Sequence, residues 1–394
     1  MKPLLISGFG TSVTVDKRKL IFSNKAEDQK LEFYPHQISY DSVIIDGNYG
    51  FITFEAIRWL MKHDVSLITL NWNGDLLSVT LPKETASAKL RMKQYETYHN
   101  KKRYDISRII LNEKVNKSLD LLRNLSKYHS SLDKNSIETA FNNIKTRYKN
   151  SNDLLTYEGN IAIVYWNNLQ KAFNGLYPEF AFTNRNGRQH SWNMNASDEI
   201  NALLNYGYAI LEAEVRKAIN SIGFDPTIGF LHELKDGRMS LVYDIQELYR
   251  WLIDLSIIQL LEDKGLKKSD FIVTENYNIR LTSVTAKALL DKITLNFNKT
   301  MQYKGKQHSY GFILLDNVRN LASYVTDTTK TLTFDIPEIG TARNDPTELR
   351  NHILSMTSEE RKQLGIRRNT LWYMKKNVKK GKRIKVYTKI LERL

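Results

Sequence analysis

The amino-acid sequence predicts an α+β protein of several domains: an N-terminal β-rich domain, a mostly α-helical domain after it, and an appended helix-turn-helix domain. Three observations lead to this prediction. The chain has 394 residues, which is longer than a single small core usually serves. Short β-branched runs before residue 84 give way to helical periodicity up to about residue 325. Residues 361–394 then hold 13 Lys and Arg against one acid, a net charge of +12.

Residues 1–84 are predicted to form the β-rich domain. Five short runs are rich in β-branched or aromatic residues and are separated by turn residues: LLISG, SVTV, KLIFS, KLEFY and SVIID. One helix, FITFEAIRWLMKH, interrupts them, because its apolar residues recur at helical spacing. A further strand pair is expected around Asn73-Gly74, which is a hairpin signal.

Residues 85–325 are predicted to form the α-helical domain. The segment 199–222 shows the pattern clearly, since Leu203, Tyr206, Ile210 and Ala213 would line one face of a helix. Helical spacing is present in these windows: 88–125, 135–150, 157–173, 199–222, 244–262 and 311–324.

A linker and a basic C-terminal domain are predicted to follow. Residues 326–347 are rich in Thr and poor in large apolar residues, which is typical of a linker. In 348–394, Thr357 or Ser358 can cap a short helix, Gly365 can end it, and a second helix begins near Arg368, with Leu371 and Trp372 facing inward. A basic second helix is typical of a helix-turn-helix unit. Its expected DNA contacts are Arg367, Arg368, Lys375 and Lys376. The alternative is a disordered basic arm, which the regular recurrence of apolar residues disfavours.

The composition narrows the functional classes. Lys and Arg number 58 against 43 Asp and Glu, a net charge of +15, which favours nucleic acid or an anionic membrane surface as a partner. With 0 Cys, thiolate metal sites and disulfides are excluded. There is no long uninterrupted apolar run and no signal-peptide pattern, so a cytoplasmic protein that does not span a membrane is expected. The patterns GxxxxGK[ST], GxGxxG after a strand and GxSxG are absent. Their absence argues against a nucleotide hydrolase, a Rossmann dehydrogenase and an α/β hydrolase, respectively.

The stretch GFLHELKDGRMSLVYDIQEL contains a candidate metal site. Asp244 and Glu247 are three residues apart, hence on one face of a helix, and the turn residues KDGR would bring His232 back against it. Imidazole and carboxylate ligands suit Mg²⁺ or Mn²⁺. Glu158 is a candidate third ligand, because it shares a helix face with core-like residues. The alternatives stay open: all of these can be solvated polar residues, and Glu158 can simply favour the start of its helix.

Basic residues accompany this candidate site. Arg185 and Arg188 lie in the segment FTNRNGRQHSWNMN, where arginine and aromatic residues suit a surface that binds phosphates and bases. Lys235 and Arg238 lie between His232 and Asp244, where they would stabilise phosphate charge if a metal is bound nearby. Otherwise these segments are a polar surface loop and a solvated turn.

Three segments in this order give the sequence a family resemblance: YEGNIAIVYW, FTNRNGRQHSWNMNASDEINALLNYGYAIL and IGFDPTIGFLHELKDGRMSLVYDIQELYRWLID. Together they resemble the CRISPR-associated integrase that inserts spacers during adaptation. The resemblance implies a divalent metal, Mg²⁺ or Mn²⁺, on Glu158, His232 and Glu247, with Asp244 assisting the site. The second acidic ligand is Asp in many members and Glu here. The resemblance also implies a β-domain joined to an α-helical catalytic domain, with dimerisation through the N-terminal part.

The appended basic domain resembles that of the casposases, the transposon-borne relatives that integrate the ends of their own element. The implied activity is attack of a DNA 3′-hydroxyl on a target DNA phosphodiester, by a homodimer or larger oligomer on double-stranded DNA. Three alternatives remain. These are a spacer integrase and endonuclease that needs a second adaptation protein, a nuclease in which water replaces the hydroxyl, and a non-catalytic DNA-binding regulator.

Overall fold

The structure is a computed structural model, which describes residues 1–8, 10–24, 29–47, 49–149, 153–185, 195–274, 278–338, 353–363 and 366–379. The chain divides into two compact units, residues 1–337 and 338–394. This division falls within the predicted linker. The predicted domain boundaries at residues 84 and 325 stay predictions. The mixed α+β class is confirmed, with strands at the N-terminus and helices after them.

The N-terminal strands form two four-stranded sheets. The strands and their helix are β1 (Pro3–Ser7), β2 (Thr11–Asp16), β3 (Lys19–Asn24), β4 (Gln29–Phe33), β5 (Ser42–Asp46), β6 (Gly50–Ile52), α1 (Phe54–Lys62), β7 (Ser66–Leu70) and β8 (Leu76–Thr80). One sheet has the order β1-β5-β7-β8 and the other β4-β3-β2-β6. In the first, β1, β5 and β7 are parallel, and α1 is the crossover helix that parallel strands require.

A shared hydrophobic core explains why these short strands are stable. Leu20, Val43, Ala56 and Leu60 are completely buried, and they come from β3, β5 and α1. Alternate residues of β3 point into this core, as the period-two pattern of the sequence predicts. The N-terminal β-rich fold therefore follows directly from the local pattern of the chain.

Helices dominate the rest of the first unit. They are α2 (Ala88–Tyr98), α3 (Lys101–Leu125), α4 (Lys134–Arg147), α5 (Leu154–Leu176), α6 (Glu199–Ile222), α7 (Ser240–Glu247), α8 (Arg250–Lys264), α9 (Ser283–Asn298) and α10 (Tyr310–Val325). The bounds of α6 match the prediction because the Asp198 side chain caps its first turn and Gly223 ends it at φ 94°.

Several features of the helical part differ from the sequence prediction. The window 88–125 is two helices, α2 and α3, and α9 lies outside the predicted windows. The helix expected over 244–262 is two helices, α7 and α8, joined at Leu248 and Tyr249. Both joining residues are fully buried, so the apolar pattern continues through the break and hides it. Two hairpins were also missed: β9 (Phe271–Val273) with β10 (Ile279–Leu281), and β11 (Thr300–Tyr303) with β12 (Lys306–Ser309).

Helices of the second unit include α11 (Ser358–Gln363) and α12 (Arg368–Lys379). A capping box starts α11, since Thr357 Oγ1 accepts from the Glu360 amide at 3.2 Å and the Glu360 carboxylate accepts from the Thr357 amide at 2.9 Å. Leu371 is buried as predicted, but Trp372 is 55% exposed, so its predicted inward position is wrong. Met374, three residues after Leu371, shares the buried face instead.

None of the described helices is long and apolar enough to cross a bilayer.

Candidate metal centre

The candidate centre begins with a loop that folds back onto α7. The chain turns at Lys235–Arg238, where the Arg238 amide donates to the Lys235 carbonyl at 2.9 Å and Gly237 has φ 74°. The loop then packs closely on the helix at Gly229. A Cβ there would lie 2.8 Å from Asp244 Oδ2, so only glycine allows this approach.

Asp244 is the residue that organises the loop. Its carboxylate is completely buried and accepts hydrogen bonds from the backbone amides of Phe230, Leu231 and His232. The last two of these bonds are 3.0 and 2.9 Å long. It also lies 2.7 Å from Nδ1 of the His232 ring. A proton on Nδ1 makes this a hydrogen bond and leaves the lone pair on Nε2, which is the arrangement found in metal-binding histidines. The loop therefore presents His232 with a fixed ring orientation.

Glu247, at the end of α7, lies among positive charges. Its side chain is 4% exposed, with Oε2 2.7 Å from Lys114 Nζ and Oε1 3.1 Å from Arg250 Nε. The same Lys114 ammonium lies 2.5 Å from Oε1 of Glu158 on α5. Lys114, from α3, therefore joins two of the three predicted ligands, which come from separate helices.

The electrostatics of this cluster favour charged side chains. Burial opposes ionisation of Glu247, but the charges of Arg250 and Lys114 outweigh it and hold the pKa of the Glu247 carboxyl at about 2. Burial would lower the pKa of Lys114, but Glu247 and Glu158 raise it above its usual value. The carboxylate of Glu247 is thus an anion throughout the physiological pH range.

The side chains fit a divalent cation by their chemistry. Two carboxylates and an imidazole are common ligands of Mg²⁺ and Mn²⁺. Glu247 Oε2 is buried and makes no contact of hydrogen-bonding geometry within the described part of the chain, although Lys114 Nζ is close. A cation already lies between the two carboxylates, and it is the Lys114 ammonium. As the described side chains stand, no three of His, Asp and Glu are arranged to hold a metal, so metal binding would require Lys114 to move.

The predicted basic residues lie in different surroundings. Arg238 stacks on the ring of Tyr243 at 5.3 Å, and that ring makes an edge contact with His232 at 6.1 Å, so Arg238 is brought towards the centre. Lys235 is exposed on the turn. Arg188 lies outside the described residues. The DNA-binding roles of these residues stay predictions.

Arg185 is held by hydrogen bonds to side chains of α6. Its guanidinium donates to the Oδ1 atoms of Asn201 and Asn205, each at 2.8 Å, and lies 5.4 Å from the ring centre of Tyr208. This position ties its loop to α6, and its predicted contact with phosphate is untested.

Sequence reasoning missed Lys114 and Arg250. A signal for Lys114 was present, because Ile110, Lys114 and Ser118 are four residues apart on α3 and both neighbours are buried. Arg250 comes three residues after Glu247. A charge on the apolar face of a helix indicates a buried partner, and here the partners are the two carboxylates.

A further buried carboxylate is linked to this centre through Arg250. Asp254, on α8, accepts hydrogen bonds from the hydroxyls of Tyr165 at 2.6 Å and Tyr208 at 2.7 Å. Burial raises the pKa of Asp254 to about 6, although both hydrogen bonds and the charge of Arg250 oppose this. This group joins α5, α6 and α8.

Comparisons with known families and proteins show what the chain is similar to. The family model described as CRISPR associated protein Cas1 matches residues 4–294. A CRISPR-associated endonuclease Cas1 of Archaeoglobus fulgidus is 26% identical over 342 residues, which are 82% of this chain and 96% of that protein.

Solved structures show the same fold. A casposase bound to an integration product is 38% identical, has a TM-score of 0.77, and matches 90% of this chain and 99% of its own. A chain of a Cas6-RT-Cas1–Cas2 complex, 19% identical with a TM-score of 0.68, matches 86% of this chain and 36% of its own. The family model covers well over half of the chain, and the protein belongs to the CRISPR-associated protein Cas1 family.

Proposed function

We propose that this protein is a metal-dependent DNA integrase of the casposase type. A DNA 3′-hydroxyl would attack a target phosphodiester, joining the incoming end to the target and releasing a target 3′-hydroxyl. The observation that supports this best is the approach of Glu158 and Glu247 to one Lys114 ammonium, together with a His232 ring oriented by Asp244. The chain that carries them is 38% identical to a casposase bound to an integration product. No nucleoside triphosphate is consumed, because one phosphodiester replaces another.

The ligands of Mg²⁺ or Mn²⁺ would be Glu158, Glu247 and His232 Nε2. The bound ion would polarise the scissile phosphate and lower the pKa of the attacking hydroxyl. The surrounding residues prepare these ligands. Asp244 fixes the His232 ring, as outer-shell carboxylates do in metal sites. Arg250 keeps Glu247 ionised although it is buried.

The basic side chains would stabilise the charge of the DNA. Lys114 is the nearest cation to the ligands, and on leaving the two carboxylates it could pair with a phosphate oxygen. Lys235 and Arg238 lie on the turn next to His232, where phosphate charge would develop.

The C-terminal unit is proposed to bind DNA as a helix-turn-helix domain. Arg367, Arg368 and Lys376 are exposed on or next to α12, whereas Lys375 donates to the Met356 carbonyl at 3.1 Å. Lys376 also lies 4.7 Å from the ring centre of the exposed Trp372. Basic and aromatic groups on one helix suit contacts to phosphates and sugars.

A spacer integrase is the second candidate, because one solved relative in fold is part of a Cas6-RT-Cas1–Cas2 complex. The two functions differ in what they need. A casposase should act alone, as a homodimer or larger oligomer on its element ends, whereas a spacer integrase should need a second adaptation protein. Joining of element-end oligonucleotides to a plasmid by the purified protein would therefore favour the casposase. Joining only after a second adaptation protein is added would contradict it.

The activity itself is tested with metal-ligand variants. Glu247→Gln and His232→Gln should each lower strand joining in Mn²⁺ by more than about 100-fold, because each removes a ligand. Asp263→Asn is the matched control, since Asp263 forms an ion pair with Lys292 at the surface. Wild-type joining by both ligand variants would refute the metal centre. A wild-type protein that binds DNA but neither joins nor nicks it in Mn²⁺ would favour a DNA-binding regulator. Nicked target without joined product would indicate a hydrolytic nuclease.

A further inference from the structure

A basic cleft lies between α3, α4 and α5, and none of the predicted metal ligands lines it. Its volume is about 280 Å³. We call it the α3–α5 cleft and define it by its polar lining residues, Arg108, Asn112, Asn116, Lys145, Tyr148 and Lys149. Three of these are cations, and none of the described lining residues is acidic.

The cations of this cleft have no ion-pair partner among the described residues, although the charges of Asp120 and Glu113 act on Lys145 from a greater distance. Within the described part of the chain, none of Arg108, Lys145 and Lys149 forms an ion pair with a carboxylate. The nearby acids have other partners: Lys117 Nζ lies 3.8 Å from Glu113 and 3.3 Å from Asp120. The cleft therefore has a surplus of positive charge that an anion would offset.

The arrangement of the cleft is fixed by polar contacts. Lys145 Nζ donates to Asn116 Oδ1 at 2.7 Å, which links α4 to α3, and the Arg108 guanidinium donates to the Lys149 carbonyl. Tyr148 stacks on Tyr157 with ring centres 5.7 Å apart. Burial lowers the pKa of Lys145, with the charge of Arg123 acting in the same direction and those of Asp120 and Glu113 opposing it. A phosphate next to Lys145 would add a further negative charge that favours the ammonium.

The position of the cleft connects it to the candidate metal centre. Helices α3 and α5, which form two of its walls, also carry Lys114 and Glu158. Arginine, lysine, asparagine and tyrosine side chains are the groups that contact phosphate and sugar in protein–DNA complexes. We propose that the α3–α5 cleft binds backbone phosphates of a DNA strand that leads to the metal centre. This inference rests on the proposed function and adds a specific DNA path to it.

The test measures DNA binding by the full-length protein without catalysis. A fluorescent duplex is titrated in EDTA at several salt concentrations, and its anisotropy gives the binding constant. Lys145→Gln and Lys149→Gln together should weaken binding by about 10-fold or more, and should reduce the slope of log K against log salt by about 1 to 2. Lys171→Gln is the matched control: Lys171 is exposed on α5, about 25 Å along the helix from Leu154 at ~1.5 Å per residue.

Thermal melting of each variant establishes that it is folded, and Lys149→Gln alone provides a second reading because Lys149 is exposed. Wild-type affinity and slope in both the double and the single variant would overturn the cleft proposal. It would also be overturned if millimolar inorganic phosphate raised the wild-type melting temperature but not that of the double variant, while their DNA affinities were equal. A wild-type protein that binds no DNA would instead refute the proposed function.

Discussion

Two buried carboxylates, Glu247 and Asp254, lie seven residues apart in consecutive helices. Their pKa values are shifted in opposite directions. The pKa of Glu247 is held at about 2, whereas that of Asp254 is raised to about 6. Burial penalises the charge of both. Glu247 faces two cations, Lys114 and Arg250. Among the described residues, the groups that donate hydrogen bonds to Asp254 are instead the hydroxyls of two tyrosines. Cationic partners, and not burial, therefore separate the candidate metal ligand from the structural acid.

Arg250 connects the two carboxylates. Its Nε lies 3.1 Å from Glu247 Oε1, and its guanidinium lies 4.8 Å from the ring centre of Tyr208, whose hydroxyl donates to Asp254. The Glu247 centre is thus built to keep an anion ready for a cation. The Asp254 carboxyl holds three helices together through its hydrogen bonds, and its pKa is about 6.

The largest expected effect comes from removing the cation between the acids. In Lys114→Met, Glu158 and Glu247 lose their common partner, and the metal-free protein should lose about 3–5 kcal/mol of unfolding free energy. Mn²⁺ should then raise the melting temperature of the variant more than that of the wild type, because no ammonium competes with the ion. Denaturant unfolding in EDTA and melting curves with and without Mn²⁺ measure the two effects.

Lys292→Met is the control for this variant, because Lys292 pairs with Asp263 at the surface and its loss should cost no more than about 1 kcal/mol. Equal stabilities of Lys114→Met and the wild type would mean that the ammonium does not balance the two acids. Equal shifts with Mn²⁺ would mean that Lys114 and the metal do not share a position.

The sequence predicts the fold well where local patterns decide the structure. The N-terminal strands are recognisable because short β-branched and aromatic runs are separated by turn residues. Helix α6 is recognisable because Asp198 and Gly223 mark its ends. The break between α7 and α8 escaped prediction because buried Leu248 and Tyr249 continue the apolar pattern. The hairpin of β11 and β12 was missed because its second strand, KQHS, has no apolar alternation.

The site was less predictable than the fold. Spacing alone could bring His232 back to Asp244, since the Gly237 turn lies between them. No spacing argument could place Glu158 on the same cation as Glu247, because 89 residues separate them and long-range packing decides their contact. The resemblance to a family supplied that pairing. Lys114 was overlooked because a lysine is usually read as an exposed residue.

The next largest effect is the pH dependence that Asp254 should give to stability. Because the pKa of Asp254 is about 6 in the folded protein and its ordinary value, expected in the unfolded chain, is 3.8, the folded protein binds more protons between these values. The stabilisation that comes from the protonated Asp254 carboxyl is fully present below about pH 4 and is lost as the pH rises through about 6. The resulting difference in the free energy of unfolding is on the order of 3 kcal/mol. Asp254→Asn should abolish this dependence, which unfolding measured from pH 4 to 8 would show.

The charged and titratable groups near Asp254 do not change protonation in this range, as they are Tyr165, Tyr208, Arg250 and Arg185. Histidines elsewhere do titrate, so the informative quantity is the wild-type curve minus the Asp254→Asn curve. Parallel curves would show that Asp254 does not bind its proton more tightly in the folded state, and the contrast with Glu247 would disappear.

The smallest effect should come from one hydroxyl of the Asp254 centre. Tyr165→Phe removes the 2.6 Å hydrogen bond to Asp254 Oδ2, and at pH 8 this should cost about 2 kcal/mol, because the acceptor is charged. At pH 5 the cost should be smaller, since the carboxyl is then mostly protonated and the hydrogen bond favours the charged form.

Tyr177→Phe is the matched control: its hydroxyl donates at 3.0 Å to the Leu261 carbonyl, which does not titrate, so its cost should be the same at both pH values. If the cost of Tyr165→Phe were equally independent of pH, the tyrosine would act on Asp254 through packing alone. A larger cost at pH 8 would show that hydroxyls stabilise the anion here, less strongly than Lys114 and Arg250 stabilise Glu247.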